Sequence, residues 1–289
     1  MALPDAKPGP HARKSAHDIL RNISYEIMPF RGAEEAVLEH VPTDVALTVT
    51  VTEAKGLNAT IDLATRLAAH EYRVAPHLAA RMVKDKAHAE DLLAQLSEAG
   101  IDRVFVIGGD APTPAGEFTG AVDLLHVIAD AGHRFERVGI GGYPEGHAKI
   151  GNGELRTALA RKARMASHII TQICFDPSTT LAWARQVHQD YPGLDVVVGV
   201  PAPVGWQKLL RISASIGLGQ SARFLRKQQH VVGKLLRPGG YRPDKLLRGL
   251  APHVAKPGIN IQGVHLFTFN ELEPAEVWRR SLLAEPGDN

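Results

Sequence analysis

The chain has 289 residues, 44% of them apolar, with 33 basic against 31 acidic side chains and a formal net charge of +2. That length suits one β/α barrel of about 250 residues, and the apolar fraction is enough to fill a large core. The near-balance of charge gives no global case for nucleic acid, and no apolar run reaches the ~18 residues of a membrane span, so neither partner is expected.

Residues 1–18 carry Pro4, Pro8, Gly9 and Pro10 among mixed charges and read as a flexible tail, not a signal peptide. The expected location is the cytoplasm, and residues 19–289 read as one catalytic domain. Eight apolar, β-branched runs occupy 22–28, 45–51, 72–78, 103–108, 137–142, 168–175, 195–200 and 261–268. The segments between them carry helical spacing, as in Ile61, Leu63, Ala64, Leu67 and Ala68, or in Ala89, Leu92, Leu93 and Leu96 closed by Gly100. Strands alternating with helices argue for a parallel sheet. Eight repeats without a dinucleotide fingerprint favour a closed (β/α)8 TIM barrel of the α/β class over an open sheet. Cys174, the single cysteine, forms no intrachain disulfide and reads as a small buried apolar residue. The long interval between the seventh and eighth runs has room for helices over 206–216, 221–236 and 243–253, the last two separated by Arg237-Pro238-Gly239-Gly240-Tyr241. The fourteen histidines are neither clustered nor spaced as metal ligands, and no metal is expected.

In such a barrel the site lies at the C-terminal ends of the strands. The first strand ends Tyr25-Glu26-Ile27-Met28-Pro29. Glu26 either forms an ion pair inside the barrel or, in a poorly solvated pocket that favours the neutral carboxyl, carries a proton for transfer. The second strand offers Thr50 and then Glu53, an ordinary loop acid or a site residue; the third offers His77. The fourth ends Gly108-Gly109-Asp110, where glycine lets the backbone turn and approach a ligand, and Asp110 caps the turn or meets that ligand. The fifth gives Tyr143, Glu145 and His147 around Pro144. The sixth gives Gln172 and Asp176, with Gln172 directed inward by alternation with Ile170 and Cys174, suited to a core network or to the amide edge of a heterocycle. Trp206, after the seventh, is core or a stacking platform for a flat ring, and the eighth ends Phe267-Thr268-Phe269-Asn270. The segment 223–248, with eight basic residues and Asp244 as its one acid, is a solvated helix face or an anion patch.

Taken in chain order, Ser24-Tyr25-Glu26-Ile27-Met28-Pro29, Thr48-Val49-Thr50, Gly109-Asp110, Gly142-Tyr143-Pro144-Glu145-Gly146-His147, Ile170-Thr171-Gln172 with Phe175-Asp176, and Phe267-Thr268-Phe269-Asn270 give the chain its resemblance. Over roughly residues 20–283 it resembles the methylenetetrahydrofolate reductase family. The resemblance implies a barrel that reduces 5,10-methylenetetrahydrofolate to 5-methyltetrahydrofolate with NADH or NADPH. It makes Glu26 the general acid and places Asp110 and Gln172 at the pterin. Tyr143, His147, Trp206, Phe267 and Asn270 are assigned with Gln172 to the folate site, and Thr50, His77 and Trp206 to the nicotinamide nucleotide. Glu53 occupies a position that is not usually acidic in the family and is assigned to catalysis beside Glu26 and Asp110, as a proton relay or a ribose contact.

Most of the family carries FAD, and here the sequence departs. Gly108 stands where an Arg usually helps to hold flavin, and Thr50-Val51-Thr52-Glu53 replaces the common Thr-Tyr-Gly-Ala. Residues 155–160 offer mainly Leu, Arg, Thr and Ala where flavin usually finds Asp and Asn, which leaves Arg161 or Lys162 as a basic contact. Glu271 stands where an Arg often follows the strand-eight Asn. These departures lead to the expectation of direct hydride transfer from NAD(P)H without flavin, with an FAD-dependent reductase of altered contacts as the main rival. The other classes are a folate-binding protein that transfers a one-carbon unit without redox chemistry and a non-catalytic pterin binder. A Schiff-base lyase is disfavoured because no strand end displays a lysine; Lys55 lies further out. The basic segment 223–248 is assigned to the folate glutamate tail. The choice between NADH and NADPH and the oligomeric state are left open.

Overall fold

The computed structural model describes residues 19–131, 135–215, 240–254, 256 and 258–284. Eight parallel strands close into a barrel in sequence order: β1 (Ile23–Ile27), β2 (Ala46–Val49), β3 (Val74–Ala79), β4 (Arg103–Ile107), β5 (Arg137–Gly142), β6 (His168–Thr171), β7 (Asp195–Pro201) and β8 (Ile261–Phe267). The alternating helices are α1 (Ala33–His40), α2 (Gly56–Ala69), α3 (Lys86–Glu98), α4 (Ala121–Asp130), α5 (Asn152–Lys162), α6 (Pro177–Asp190), α7 (Trp206–Ser215), α8 (Asp244–Leu250) and α9 (Leu272–Leu283). The tail at 1–18, the helix expected over 221–236 and most of the basic segment lie outside the described residues. Among the described residues no helix is long and apolar enough to cross a membrane.

Both faces of each strand are covered, which is why the strands read as apolar runs and not as strict alternation. The two faces nevertheless differ in kind. Leu47, Val104, Ile140, Val198 and Leu266 belong to the face turned toward the helices and are buried there. Their neighbours, among them Ser24, Glu26, Thr48, His77, Phe105, His168 and His265, turn inward and make the barrel interior largely polar. Bulk is balanced within it: a Cβ at Gly139 would lie 2.6 Å from both His168 Nε2 and the Phe105 ring, so β5 contributes a bare backbone where its neighbours contribute rings.

Local signals set the helix starts. Asp176 caps α6 by accepting from the Ser178 and Thr179 amides, and Pro177 takes the first helical position, where a missing N–H costs nothing. Asp123 Oδ2 accepts from the Thr119 and Gly120 amides at the start of α4. On the outer face of β1, the Tyr25 hydroxyl donates to Glu276 Oε2 of α9 at 2.9 Å, and Arg279 clasps both oxygens of that carboxylate.

Several boundaries differ from the sequence reading. β6 stops at Thr171, because Gln172 turns its own side-chain oxygen onto the Ile173 amide at 2.8 Å and the chain bends toward the Asp176 cap. The helix expected over 243–253 is an α-helix only to Leu250. Ala251–His253 tighten into a 3-10 turn around Pro252, which has no amide hydrogen to donate.

Candidate active site

Glu26 sits on the inner face of β1, opposite Thr48 of β2 and Phe267 of β8 in register. Its side chain is 13% exposed, and its Oε2 lies 4.0 Å from Nε2 of His265, which is itself 1% exposed. Below it, Ser24 Oγ and His265 Nδ1 are 2.8 Å apart. The Phe267 ring stands edge-on to the imidazole, with centroids 5.1 Å apart at 84°. The backbone around Glu26 is tied to the end of β8: the Thr268 hydroxyl donates to the Glu26 carbonyl. Asn270 holds Met28 at two points, its Oδ1 accepting from the Met28 amide at 2.8 Å and its Nδ2 donating to the Met28 carbonyl at 3.0 Å. To reach Met28 the chain takes left-handed backbone at both Phe269 (φ 51°) and Asn270 (φ 59°), a costly conformation for a bulky aromatic. Asn270, assigned from sequence to the folate site, thus has its whole amide engaged on the exit of β1.

The wall formed by β2 and β3 is different. Thr48 Oγ1, Thr50 Oγ1, Thr52 Oγ1 and His77 Nε2 are all buried and have no hydrogen-bond partner in the protein. Buried polar atoms normally have partners, so four unpartnered ones together on β2, β3 and the exit of β2 set this wall apart from the rest of the barrel lining. Burial, reinforced by His265, lowers the His77 pKa to about 3, so its imidazole is neutral at working pH. Thr50 and His77, two of the three sequence-predicted nucleotide contacts, lie in one wall, and the third, Trp206, opens α7. Glu53 is exposed in the turn that leads into α2.

Next to this wall, beyond the end of β4, Gly109 has φ +88°, and a Cβ there would press on Ala79 of β3 at 3.0 Å, so the chain turns tightly before the exposed Asp110. Arg81 fixes the loop that carries Asp110 by donating to the carbonyls of Ala111 at 2.7 Å, Pro112 at 2.8 Å and Thr119 at 3.3 Å. Tyr143 is close enough to feel Asp110: burial first, and then that carboxylate, raise its pKa. Its ring meets His147 edge-on at 5.1 Å, and the His147 Nδ1 accepts from the Lys149 amide. Gln172 is half-buried, with its oxygen turned onto the Ile173 amide. Cys174 is buried and its pKa is pushed up to about 11, chiefly by burial, which keeps it a thiol.

Trp206 opens α7 and stands edge-on to Tyr241 at 5.8 Å, while Phe175 meets the other side of Tyr241 at 5.6 Å. With Ile173, Val204 and Leu209 these rings form a second apolar cluster, against which Phe267 and Phe269 pack. Lys208 joins α7 to the end of β8 by donating to the Phe269 carbonyl at 3.1 Å and to Glu271 Oε1 at 2.5 Å. Glu271 is thus the partner of a local lysine. Among the described residues no group of three or more His, Cys, Asp and Glu side chains is placed to hold a metal ion.

Sequence reasoning missed His265, Ser24, Thr48 and Arg81. The first three were within reach: counting by twos from Glu26 and Phe267 puts Ser24 and His265 on the same inward face. Arg81 carries no local signal, since its partners come from a loop thirty residues away.

The family model described as methylenetetrahydrofolate reductase matches residues 21–225. Among solved structures, the chain is similar to a provisionally assigned lyase/mutase from Burkholderia cenocepacia J2315 at 14% identity and a TM-score of 0.48, over 95% of this chain and 86% of that one. It is also similar to a provisionally assigned phosphonomutase from the same organism at 16% identity and a TM-score of 0.45, over 65% of this chain and 82% of that one.

Proposed function

Since the chain belongs to the methylenetetrahydrofolate reductase family, we propose that it reduces 5,10-methylenetetrahydrofolate to 5-methyltetrahydrofolate, taking hydride directly from NADH or NADPH. The observation that carries this reading is the pairing of an inward carboxyl, Glu26, with the unpartnered polar wall of Thr48, Thr50, Thr52 and His77 beside it. The proposed proton donor and this group of unpartnered polar atoms then lie on adjoining strands of the barrel.

The chemistry balances as follows. Glu26 gives its proton to N10 of the folate as the bond between N10 and the bridging carbon breaks. The resulting N5 iminium carbon accepts hydride from C4 of the dihydronicotinamide, which leaves as the oxidised nucleotide. A proton from solvent restores Glu26. General acid catalysis of this kind contributes about 10²–10⁴-fold. Asp110 accepts from pterin N–H groups or stabilises the iminium cation. The half-buried amide of Gln172 meets the pterin edge, Tyr143 and His147 shape that side of the mouth, and Trp206 with Phe267 offers apolar ring surface. Thr50 and His77 hold the nicotinamide end, and Glu53, on the turn above them, relays a proton or meets the ribose.

The positions at which flavin contacts would fall do not fit that group. No atom lies within 4 Å of a Cβ built on Gly108, so open space stands there without a cation. The nearby Arg81 guanidinium is committed to three loop carbonyls. Helix α5 has no fully buried residue, although Lys162 at its end is partly covered, and its Thr157 hydroxyl is turned back onto the Gly153 carbonyl. Lys162 is drawn in toward the Gly141 carbonyl at 3.4 Å, and burial lowers its pKa. These features support a reductase in which both substrates are bound at once.

Purified protein assayed with methylenetetrahydrofolate and each nicotinamide, with and without added FAD, tests the proposal. Folate-dependent NAD(P)H oxidation, intersecting initial-rate plots and no stoichiometric flavin absorbance are expected. Parallel ping-pong lines, or a requirement for FAD, would overturn direct transfer. Glu26→Gln is expected to keep folate binding and lose most of kcat; near-normal turnover would remove Glu26 from the role of acid.

A further inference from the structure

We propose that Ser24 and His265 act as a positioning pair that holds one oxygen of Glu26 from below, so that the other oxygen presents the proton to the folate. This rests on the assignment of Glu26 as proton donor.

Ser24 and His265 are register partners across β1 and β8, so their meeting is set by barrel closure and not by a loop. With Ser24 Oγ 2.8 Å from Nδ1, the serine hydroxyl donating to Nδ1 leaves the imidazole proton on Nε2, which is the nitrogen 4.0 Å from Glu26 Oε2. Phe267 stands edge-on to the ring and restricts its rotation. The gap of 4.0 Å is longer than a hydrogen bond. It closes with a small rotation of the carboxyl, and such contacts are commonly loose before substrate binds. Once closed, an Nε2–H donor on Oε2 leaves Oε1 as the protonated oxygen. It also stabilises the carboxylate that remains after the proton has gone to N10, so the interaction strengthens during the step. The titratable groups that face His265 are Glu26 on β1, His77 on β3 and His168 on β6. Burial first, then nearby positive groups, lower both of the last two to about 3, so neither adds a limb to a rate profile taken above about pH 5.

Asn and Gln substitutions separate the two nitrogens. The amide of His265→Gln reaches about where Nε2 lies, whereas that of His265→Asn reaches only about as far as Nδ1. Steady-state and single-turnover rates with methylenetetrahydrofolate and NADH are measured across pH for both variants, for Ser24→Ala and for Glu26→Gln. A hydrogen bond to a charged group is worth about 1.5–3 kcal/mol, or about 10–100-fold in rate. His265→Asn is expected to lose that factor in kcat with KM little changed and with the alkaline limb of the rate profile, where Glu26 would lose its proton, displaced to higher pH. His265→Gln is expected to recover most of it, and Ser24→Ala to fall between. Wild-type kcat in His265→Asn and Ser24→Ala, with Glu26→Gln inactive, overturns the positioning role and leaves the acid assignment standing. Equal losses in the Asn and Gln variants, with an unmoved pH profile, mark His265 as packing only and also overturn it. An active Glu26→Gln instead fails the underlying assignment. If His265→Asn does not fold, the pH profile of Ser24→Ala decides: a displaced alkaline limb supports the role and an unmoved one overturns it.

Discussion

The histidines inside the barrel make its stability depend on pH above the usual acid range. His77 and His168 are neutral in the native state, with pKa values of about 3. Burial is the main cause for both; His265 adds to it for His77, and Arg137, His265 and Arg103 add to it for His168. In the unfolded chain each would titrate near ~6.5. Between those values the unfolded state binds more protons than the native state. Stability is therefore full above the unfolded pKa and falls as the pH drops, by up to about 1.4 kcal/mol per unit for each histidine. Integrated from neutral pH to about pH 5, the loss is about 2 kcal/mol per histidine, or about 4 for the pair. A domain holds only about 5–15 kcal/mol in total, so this fraction is readily measured. Urea unfolding followed by circular dichroism at about pH 7.5, 6 and 5 should show the midpoint falling steadily, and His77→Gln or His168→Gln should each remove about half of the slope. A wild-type stability that stays flat from neutral pH to about pH 5, or a slope unchanged in both variants, would refute the neutral buried layer.

Two further outcomes follow from packing. Glu276→Gln leaves Arg279 and Tyr25 facing an amide in a buried setting and should cost about 3–5 kcal/mol, a fall of about 10 °C in Tm; an unchanged melt would show that the network contributes nothing. Burial alone would raise the Glu276 pKa, but Arg279, Arg280 and Tyr25 outweigh it and the net shift is downward. Its contribution is therefore present above the ordinary glutamate range and lost as the pH falls through the lowered value. At Gly199 a Cβ would meet the Thr171 carbonyl at 2.0 Å and the Phe267 ring at 2.5 Å. Gly199→Ala should cost at least about 3 kcal/mol and displace Phe267, and a wild-type melting curve would contradict that close approach.

What the sequence made legible follows from where the chain is locally self-consistent. β5 was read to its last residue because an apolar run is bracketed by Arg137 and by the Tyr143-Pro144 turn. Glu26 stood out because a carboxylate amid apolar strand residues needs a reason. Asn270 was recognised as special, but its partner was not, because nothing near Phe269 announces two successive left-handed residues. The end of β6 was read beyond Thr171 because the 168–175 run looks like a continuous strand. The turn that ends β6 is made by a side-chain oxygen, which apolar patterning does not register. His265 was hidden in plain alternation, an inward polar residue inside a run dominated by its outward apolar neighbours Val264 and Leu266.

Besides its pairing with β2, the strand that carries Glu26 is tied at several points to the far end of the chain. Ser24 meets His265, the Glu26 carbonyl meets Thr268, Met28 meets Asn270 and Tyr25 meets Glu276, contacts spanning 241, 242, 242 and 251 residues. The alternation Ser24-Tyr25-Glu26 explains why one short strand can use all of them. Its even residues turn inward to β8 and the site, and its odd residue turns outward to α9. Strand β1 is thus held from both sides of the sheet, and these contacts form only when β8 closes the barrel against β1. The segment matched by the family model, 21–225, ends before every one of these partners. It contains Glu26, and the residues that meet β1 from β8 and α9 lie beyond it. Substitutions in β8 and α9 should therefore be read first as changes in the placement of Glu26, and only then as local losses of packing.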